Sequence, residues 1–459
     1  MYITLLSGGS GKRLWPLSND ARSKQFLKVL EDEQGQLCSM VQRVYGQLGT
    51  VGLSDATIIA TSKSQVEILH NQLGTDVPLI VEPTRRDTFP AIALAAVYLH
   101  SVKNVPLDEV ISILPVDPYV EDSFFLKLIQ LEAIIRETKA DLALIGVKPT
   151  HPSSNYGYII PNIKNSVTDN YISVEKFVEK PTEEKAKKLI DQSALWNCGV
   201  FAFRLDYIID KVKALGLPIQ YEELLERFLE FPKISFDYAV VEKAENIVAL
   251  PYDGEWKDLG TWDTLTEEMS TTQIGKGIIS DGNQKVHLIN ELDIPIAVLG
   301  SSNLVVAASP DGILVSDKES SSKIKEFVTA FDNRPMYEER RWGWYRILDY
   351  TKFEEGIETL TKRICIKKGK NLSYQQHYQR SEVWTVIRGC GEFVLNEKLF
   401  QVKPGDVLQI PIASKHAIRG ITDLEIIEVQ HGSQLIEEDI IRLETDWNSI
   451  IDMCKVFKI

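Results

Sequence analysis

Residues 2–17 of this chain read YITLLSGGSGKRLWPL, an apolar run that ends abruptly in glycines and two cations. The apolar part predicts a first strand over residues 2–7. The segment after it, residues 8–13, holds three glycines followed by Lys12 and Arg13, and we call it the glycine loop. Glycines let backbone N–H groups approach an anion closely, and the two cations would neutralise its charge. The sequence therefore predicts a first strand that ends in an anion-binding loop.

Two familiar phosphate-binding loops do not fit the glycine loop. A P-loop requires glycine where this chain has Leu6, and a magnesium-binding hydroxyl where it has Arg13. The dinucleotide-binding fingerprint meets Leu14 at its third glycine, which argues against a Rossmann dehydrogenase. For the loop taken alone, a plain glycine turn with solvated basic neighbours remains an alternative.

The composition is typical of a globular protein with several domains. With 459 residues, 44% of them hydrophobic, the chain can bury two or three cores. Its 51 basic and 65 acidic side chains give a net charge of −14, which argues against general binding to nucleic acids or anionic membranes. No apolar stretch approaches the roughly 18 residues of a membrane span, so we expect a cytoplasmic protein. The five cysteines are scattered and predict neither disulfides nor a thiolate zinc site.

Residues 1–270 alternate short apolar runs with longer amphipathic ones. This pattern predicts an α/β domain with a Rossmann-like mixed sheet that binds its ligands at the carboxyl ends of the strands. The predicted strands cover residues 2–7, 56–61, 78–81, 110–115, 142–147, 172–178 and 198–203. The predicted helices cover residues 88–102, 123–139 and 182–193.

The remainder of the chain predicts two smaller units. Between residues 271 and 335 the apolar runs shorten, which indicates a β-containing connector without chemistry of its own. Residues 336–459 contain short apolar runs separated by glycine and proline turns, a pattern typical of a barrel or jelly roll.

A second cationic segment makes the glycine loop more specific. Residues 23–27 read SKQFL and place Lys24 where it could reach the same anion. Together the two segments resemble the signature of sugar-1-phosphate nucleotidyltransferases, specifically mannose-1-phosphate guanylyltransferases of the long bacterial type. The family pattern has threonine at Lys12 and proline at Ser23, and neither departure removes a charge that the chemistry needs.

Further segments are similar to motifs of this family and follow in the same order. Residues 82–92, EPTRRDTFPAI, resemble a segment implied to lie near guanine, with Asp87 in place of asparagine. Residues 177–181, FVEKP, resemble a motif whose lysine contacts the sugar phosphate, and residues 197–201, NCGVF, resemble the sugar pocket. The substrate-binding residues that the resemblance implies are Leu6, Gly8, Gly9, Gly11, Lys12, Glu82, Pro83, Arg86, Thr88, Gly157, Tyr158, Glu179, Asn197 and Gly199.

The reaction that this resemblance implies is an in-line attack of a mannose 1-phosphate oxygen on the α-phosphorus of GTP, with release of pyrophosphate. The catalytic cations would be Arg13, Lys24 and Lys180, because both substrates are anions. Asp117 and Asp258 would hold Mg²⁺, which prefers oxygen ligands. The chain has Pro118 where the family has histidine, a change that leaves the metal carboxylate intact.

The C-terminal unit carries a second resemblance, to cupins. Residues 376–382, QHYQRSE, look like the first cupin motif, and residues 403–406, KPGD, with His416 look like the second. In the bifunctional relatives this domain is a mannose-6-phosphate isomerase, but only His377 remains of three consecutive family histidines. A set of His377, Glu382 and His416 could still bind Zn²⁺ or another divalent metal. The alternative is a barrel kept for stability or for the homodimer that the family implies.

Two alternatives accompany the main prediction of a Mg²⁺-dependent enzyme that makes GDP-mannose. The first is a bifunctional enzyme whose cupin also interconverts mannose 6-phosphate and fructose 6-phosphate. The second is a non-catalytic nucleotide-sugar sensor. The presence of both Asp117 and Asp258 argues against the sensor.

Overall fold

The first apolar run forms a central strand of a mixed sheet in this computed structural model. The structure describes residues 1–9, 11–162, 171–331, 334–436 and 439–454. The N-terminal strands are β1 (Tyr2–Leu6), β2 (Leu30–Glu31), β3 (Leu37–Cys38), β4 (Thr57–Ser62), β5 (Leu79–Glu82), β6 (Val110–Pro115), β7 (Pro118–Val120), β8 (Leu142–Val147), β9 (Tyr158–Pro161), β10 (Ile172–Val178), β11 (Leu195–Arg204), β12 (Ile247–Tyr252) and β13 (Trp256–Asp258). The N-terminal helices are α1 (Met40–Thr50), α2 (Val66–Leu73), α3 (Thr88–Ser101), α4 (Asp122–Thr138), α5 (Glu183–Asp191), α6 (Leu205–Ala214), α7 (Tyr221–Glu226), α8 (Phe236–Ala239) and α9 (Trp262–Glu268).

Among the described residues, nine strands form one sheet in the order β5-β4-β1-β6-β11-β8-β12-β10-β9. Strand β1 lies parallel to β4 and β6, with Leu6 opposite Pro115. Both strands therefore end at the same edge, where the glycine loop and Asp117 emerge side by side. Strand β11 runs antiparallel to β6, which makes the sheet mixed. The predicted fold class of this domain is confirmed.

Helices cover both faces of this sheet, and the side chains of β1 show how. Ile3 and Leu5 point into a core that they share with α1 and α4. Tyr2 and Leu6 point the other way, against the core formed with α3 and α6. A strand that alternates between two apolar layers is buried on both faces, which explains why its sequence is apolar except for Thr4. Across the described residues, none of the helices combines the length and apolar character needed to cross a bilayer.

A small ladder of mostly parallel strands follows the first domain. Its elements are β14 (Gln273–Gly275), β15 (Gly277–Ile279), β16 (His287–Asn290), β17 (Ile296–Val298), β18 (Leu304–Ser309), β19 (Gly312–Asp317) and α10 (Ile324–Val328). The residues that follow the glycine loop contact both this ladder and the end of the first domain. Trp262 Nε1 donates to the Trp15 carbonyl at 3.2 Å, and Ser309 Oγ donates to the Pro16 carbonyl at 2.6 Å. The apolar end of the opening segment thus anchors the connector to the sheet edge from which the glycine loop emerges.

The C-terminal domain is a sandwich of two antiparallel sheets. Its elements are β20 (Tyr337–Arg340), β21 (Gly343–Lys352), β22 (Glu358–Ile366), β23 (Tyr374–Gln376), β24 (Arg380–Arg388), β25 (Gly391–Leu395), β26 (Lys398–Val402), β27 (Val407–Ile410), β28 (His416–Gly420), β29 (Leu424–Gly432), β30 (Ile441–Glu444) and α11 (Trp447–Asp452). The sheet orders are β20-β21-β22-β29-β24-β27 and β26-β25-β28-β23-β30. Ile364, Trp384 and Phe393 fill the space between them. This arrangement confirms the predicted cupin jelly roll.

Candidate active site

The glycine loop is held by close contacts to the segment that carries Lys24. A Cβ atom on Gly11 would lie 2.5 Å from Ser23 Cα, so the chain can approach this closely only at a glycine. Ser23 Oγ donates a hydrogen bond of 2.7 Å to the Gly9 carbonyl. Gln65 Nε2 donates another of 3.0 Å to the same carbonyl. The loop and Lys24 therefore form one wall of the site.

The Lys24 ammonium lies between the two carboxylates that the sequence predicts as metal ligands. Its Nζ is 2.9 Å from Asp117 Oδ2 and 2.9 Å from Asp258 Oδ1. Burial would lower the pKa of Lys24, but the charges of Asp117 and Asp258 outweigh burial and raise it above its ordinary value. The positive charge of Lys24 in turn lowers the pKa of Asp258. The Asp258 carboxylate is thus held in the ionised form that a metal requires.

A short ribbon explains how Asp258 reaches Asp117. Strand β13 pairs with β7, and Asp258 lies opposite Pro118. The two carboxylates converge on one point from separate parts of the chain, and both are hard oxygen donors. Such a pair, completed by substrate phosphates and water, is the type of site in which proteins hold Mg²⁺. The donor set therefore fits the predicted metal.

A first cavity of about 530 Å³ lies along the ends of β1, β4 and β5. Leu6, Gly8, Glu82 and Thr88 are among the residues that line it. Glu82 is buried, and burial raises its pKa to about 7, with Asp87 adding to the rise while Arg85 opposes it. We call this space the nucleotide cavity.

A second cavity of about 500 Å³ lies on the other side of Lys24. Arg13, Gly157, Glu179, Lys180, Asn197, Gly199 and Asp258 are among the residues that line it. Lys180 has φ of 42°, rare for a residue with a side chain, and its Nζ lies 2.8 Å from Glu179 Oε1. Lys24 and Asp117 line both cavities. We call this second space the sugar cavity, and the two spaces meet at the predicted catalytic residues.

Four predicted residues lie away from the lining of these two cavities. Arg86 Nε donates to the Phe231 carbonyl at 2.8 Å. The Tyr158 ring is buried, and its hydroxyl bonds to the backbone of Ser153. The other two are Lys12 and Pro83. Sequence alone does not say which side of the chain faces a cavity.

Among the residues that line the cavities, sequence reasoning did not name Arg85, Tyr156 and Asp237 as site residues. Arg85 lines the nucleotide cavity, Tyr156 lines the sugar cavity, and Asp237 lines both. The pKa of Tyr156 is raised to about 12, mainly by burial and to a smaller extent by the negative charge of Asp258. Arg85 lies inside residues 82–92, which resemble a family motif, and Tyr156 directly precedes the predicted residue Gly157, so for these two a signal was available in their neighbours.

The cupin domain brings together the three predicted ligands of a second metal site. Ring nitrogens of His377 and His416 and a carboxylate oxygen of Glu382 lie within 4.8 Å of one another, and all three residues are buried. His377 Nε2 is 3.2 Å from Glu382 Oε1, and His416 Nε2 is 3.7 Å from Glu382 Oε2. Arg380 Nε also donates to Glu382 Oε1 at 2.9 Å.

The tautomers of the two histidines suit metal binding. His377 Nδ1 lies 2.8 Å from the Arg380 carbonyl, and His416 Nδ1 lies 3.0 Å from the Ser414 carbonyl. A carbonyl only accepts hydrogen bonds, so each Nδ1 carries the proton, and in a neutral ring Nε2 keeps its lone pair. Neither Nε2 has a hydrogen-bond partner among the described residues. Burial lowers the pKa of His416 and favours its neutral, ligating form. The residues present therefore fit a divalent metal.

Comparisons with known proteins agree with both domains. A family model described as nucleotidyl transferase matches residues 3–274, and one described as mannose-6-phosphate isomerase C-terminal matches residues 333–445. The alginate biosynthesis protein AlgA of Pseudomonas putida is 31% identical, over 97% of this chain and 96% of the relative. A mannose-1-phosphate guanylyltransferase of Salmonella muenchen is 31% identical, over 96% of this chain and 97% of the relative.

A solved structure agrees with the fold of the larger part of the chain. A protein described as mannose-1-phosphate geranyltransferase from Thermus thermophilus superposes with a TM-score of 0.59 at 27% identity. The match covers 72% of this chain and 99% of that protein. The nucleotidyl transferase model spans more than half of the chain, and the two relatives match 97% and 96% of its length. The chain therefore belongs to the nucleotidyl transferase family, among its long members that also carry a mannose-6-phosphate isomerase C-terminal domain.

Proposed function

We propose that this chain joins GTP to mannose 1-phosphate and releases pyrophosphate. An oxygen of the sugar phosphate forms a bond with the α-phosphorus of GTP, and the bond from that phosphorus to the oxygen bridging to the β-phosphate breaks. The pyrophosphate leaves with the electron pair of that bond. The observation that carries the proposal is the meeting of two substrate-sized cavities at Lys24 and Asp117, beside Asp258.

Both substrates are anions, so positioning and charge neutralisation supply most of the catalysis. Lys24 and Arg13 would lie against the triphosphate, and Lys180 would lie against the sugar phosphate. Mg²⁺, when held by Asp117 and Asp258, would supply further positive charge where negative charge develops. The backbone N–H groups of the glycine loop would hold the triphosphate without side chains in the way.

Glu82 supports guanine as the base. Its carboxylate is buried in the wall of the nucleotide cavity and offers two acceptor oxygens. The Watson–Crick edge of guanine presents two neighbouring N–H donors that match such a carboxylate, whereas adenine presents an acceptor between its donor and the sugar edge. A buried carboxylate thus favours GTP over ATP.

The similarity to relatives described as mannose-1-phosphate guanylyltransferases supports mannose 1-phosphate as the second substrate. Lys180 supplies a cation at the mouth of the sugar cavity, and Glu179 and Asn197 supply hydrogen-bonding groups for the sugar.

An assay of pyrophosphate release tests the proposal. We expect the purified chain with Mg²⁺ to turn over fastest with GTP and mannose 1-phosphate in a panel of four nucleoside triphosphates and several sugar 1-phosphates. The variant Asp117→Asn should lose about 100-fold in kcat, because one of the charged groups at the reacting phosphate becomes neutral. The matched control is Asp191→Asn, at the end of α5 and away from both cavities. No pyrophosphate from any pair would contradict the proposal and favour a non-catalytic sensor.

We also propose, as a second function, isomerisation of mannose 6-phosphate and fructose 6-phosphate in the cupin. The supporting observation is the buried cluster of two histidines and one glutamate, with both Nε2 atoms directed at the carboxylate. A divalent metal held there would polarise the sugar carbonyl. In the direction of fructose 6-phosphate, the hydrogen on C2 moves to C1 and the proton on the C2 oxygen moves to the C1 oxygen. The reaction therefore needs no external oxidant.

Metal analysis and an isomerase assay test this second function. We expect about one equivalent of divalent metal in the wild type and loss of metal in His416→Gln, because only two ligands would remain. His431→Gln, at an exposed position of β29, is the matched control. An absence of both bound metal and turnover after addition of Zn²⁺ or Co²⁺ would leave the barrel with a structural role only.

A further inference from the structure

Asp237 is a charged residue of the sugar cavity that the mechanism above does not use. It lies on α8, a short helix that is held by a backbone hydrogen bond and by packing of an aromatic ring in the core. Phe236 N donates to Thr88 Oγ1 at 2.8 Å, and the Phe236 ring packs against Phe201 and Phe203 at 5.0 and 5.8 Å. The carboxylate of Asp237 is therefore presented to the cavity from a rigid support.

Asp237 determines which way the Asn197 amide points. Asn197 Nδ2 donates to Asp237 Oδ1 at 2.9 Å, and Asn197 Oδ1 accepts from Gly199 N at 3.1 Å. A carboxylate accepts only, and a backbone N–H donates only, so the amide cannot rotate by half a turn without losing both bonds. This leaves the second hydrogen of Nδ2 as the group that Asn197 can offer to a ligand.

The neighbouring carboxylate of Glu179 has an unused acceptor. Glu179 Oε2 is buried and has no hydrogen-bond partner among the described residues, whereas Glu179 Oε1 forms an ion pair with Lys180 Nζ. Gly157 is what makes room for it, since a Cβ atom there would lie 2.6 Å from Glu179 Oε2. A buried carboxylate oxygen without a donor is costly, and a ligand hydroxyl would satisfy it.

We infer that Asp237 selects the sugar, as a positioning residue that fixes the Asn197 donor beside the Glu179 acceptor for recognition of adjacent hydroxyls on a hexose 1-phosphate. This inference rests on the proposed function and deepens it. One fixed donor next to one fixed acceptor discriminates between hexoses that differ in the orientation of a single hydroxyl, because the wrong epimer leaves a buried polar group unpaired. Burial and the nearby charge of Glu179 raise the pKa of Asp237 to about 7, in keeping with two carboxylates in one pocket.

The test uses Asp237→Asn and calorimetric titration with mannose 1-phosphate and glucose 1-phosphate, so that binding is measured without turnover. An asparagine at this position no longer forces the Asn197 donor into place. We expect about tenfold weaker binding of mannose 1-phosphate and a smaller preference for it over glucose 1-phosphate. Asp210→Asn, on the exposed side of α6, is the matched control.

A double exchange, Asp237→Asn with Asn197→Asp, separates positioning from folding. It rebuilds the bond between the two side chains but replaces the donor offered to the sugar by an acceptor. Thermal stability should recover while sugar binding stays weak, and recovery of both would show a merely structural role and overturn the inference. Unchanged sugar binding and selectivity in Asp237→Asn, with normal wild-type turnover, would overturn the inference and leave the proposed function intact. Wild-type protein that neither binds nor consumes mannose 1-phosphate would overturn both.

Discussion

Glu82 is the residue at which protonation would affect the proposed recognition of the base. Its carboxyl has a pKa of about 7, mainly because it is buried. Only the ionised form can accept hydrogen bonds from both donors of a guanine edge, so under the proposed function proton binding would compete with GTP. We therefore expect the KM for GTP to rise about tenfold as the pH falls from 8 to 6, because most of the carboxyl is then protonated.

The variant Glu82→Gln provides the check on this pH dependence. A carboxamide does not titrate, so the KM for GTP should be high at every pH and change little between pH 6 and 8. The KM for mannose 1-phosphate serves as an internal reference, since Glu82 lines the nucleotide cavity and not the sugar cavity. If the KM for GTP of Glu82→Gln rose between pH 8 and pH 6 as much as that of the wild type, the titrating group would be a residue other than Glu82.

At the scale of elements, the position of the glycine loop depends on its close approach to the segment that carries Lys24. The variant Gly11→Ala places a Cβ atom 2.5 Å from Ser23 Cα. Neither atom can move by a side-chain rotation, so the backbone of the loop must move. A displacement of about 1 Å at a phosphate-binding site costs about 100-fold in rate, so kcat should fall by that order. The control is Gly46→Ala in α1, where a Cβ atom meets nothing within 4 Å. Similar activity of the two variants would mean that the loop does not position the triphosphate.

The elements also show how far the sequence could predict the site. Gly8, Gly11 and Asp117 follow from the sequence because parallel strands end at one edge of a sheet, and the position after each strand can be read directly. The approach of Asp258 depends on the pairing of β13 with β7, which lie far apart along the chain. No periodicity predicts that pairing, and Asp258 was named through family resemblance alone.

Neighbouring residues set a second limit on prediction from sequence. Arg85 and Arg86 are adjacent and chemically equal, yet Arg85 lines the nucleotide cavity while Arg86 bonds to the Phe231 carbonyl. The direction of each side chain is set by the loop before α3, where Asp87 has φ of 73°. Such a backbone conformation is uncommon for aspartate, and the sequence gives no sign of it.

At the scale of the whole molecule, strand β20 connects the cupin to the catalytic domain. Glu339 is buried, and its carboxylate lies 3.2 Å from Lys28 Nζ and 3.9 Å from Arg22 Nε. Arg22 Nη2 also lies 2.8 Å from Glu291 Oε1 in the connector. Along the chain, Arg22 is only two residues before Lys24. The buried Arg22 guanidinium thus joins three parts of the chain close to Lys24.

The variant Glu339→Gln tests this connection. Removal of the carboxylate charge leaves the buried Arg22 and the partly exposed Lys28 less well paired, and the free energy of unfolding should fall by about 1–3 kcal/mol. Denaturant unfolding measures this change, and Glu338→Gln on the opposite face of β20 is the control. If the two variants were equally stable, the Glu339 contacts would not hold the domains together.

The central claim is that Lys24, Asp117 and Asp258 mark the place where a nucleoside triphosphate is joined to a sugar phosphate. It is tested most directly by incubating the purified chain with Mg²⁺, mannose 1-phosphate and GTP labelled at the α-phosphorus. We predict that the label moves into a nucleotide-sugar product, that unlabelled pyrophosphate is released in equal amount, and that Asp258→Asn abolishes both. Label that stays in GTP, or that appears in free GMP without a sugar product, would contradict the claim.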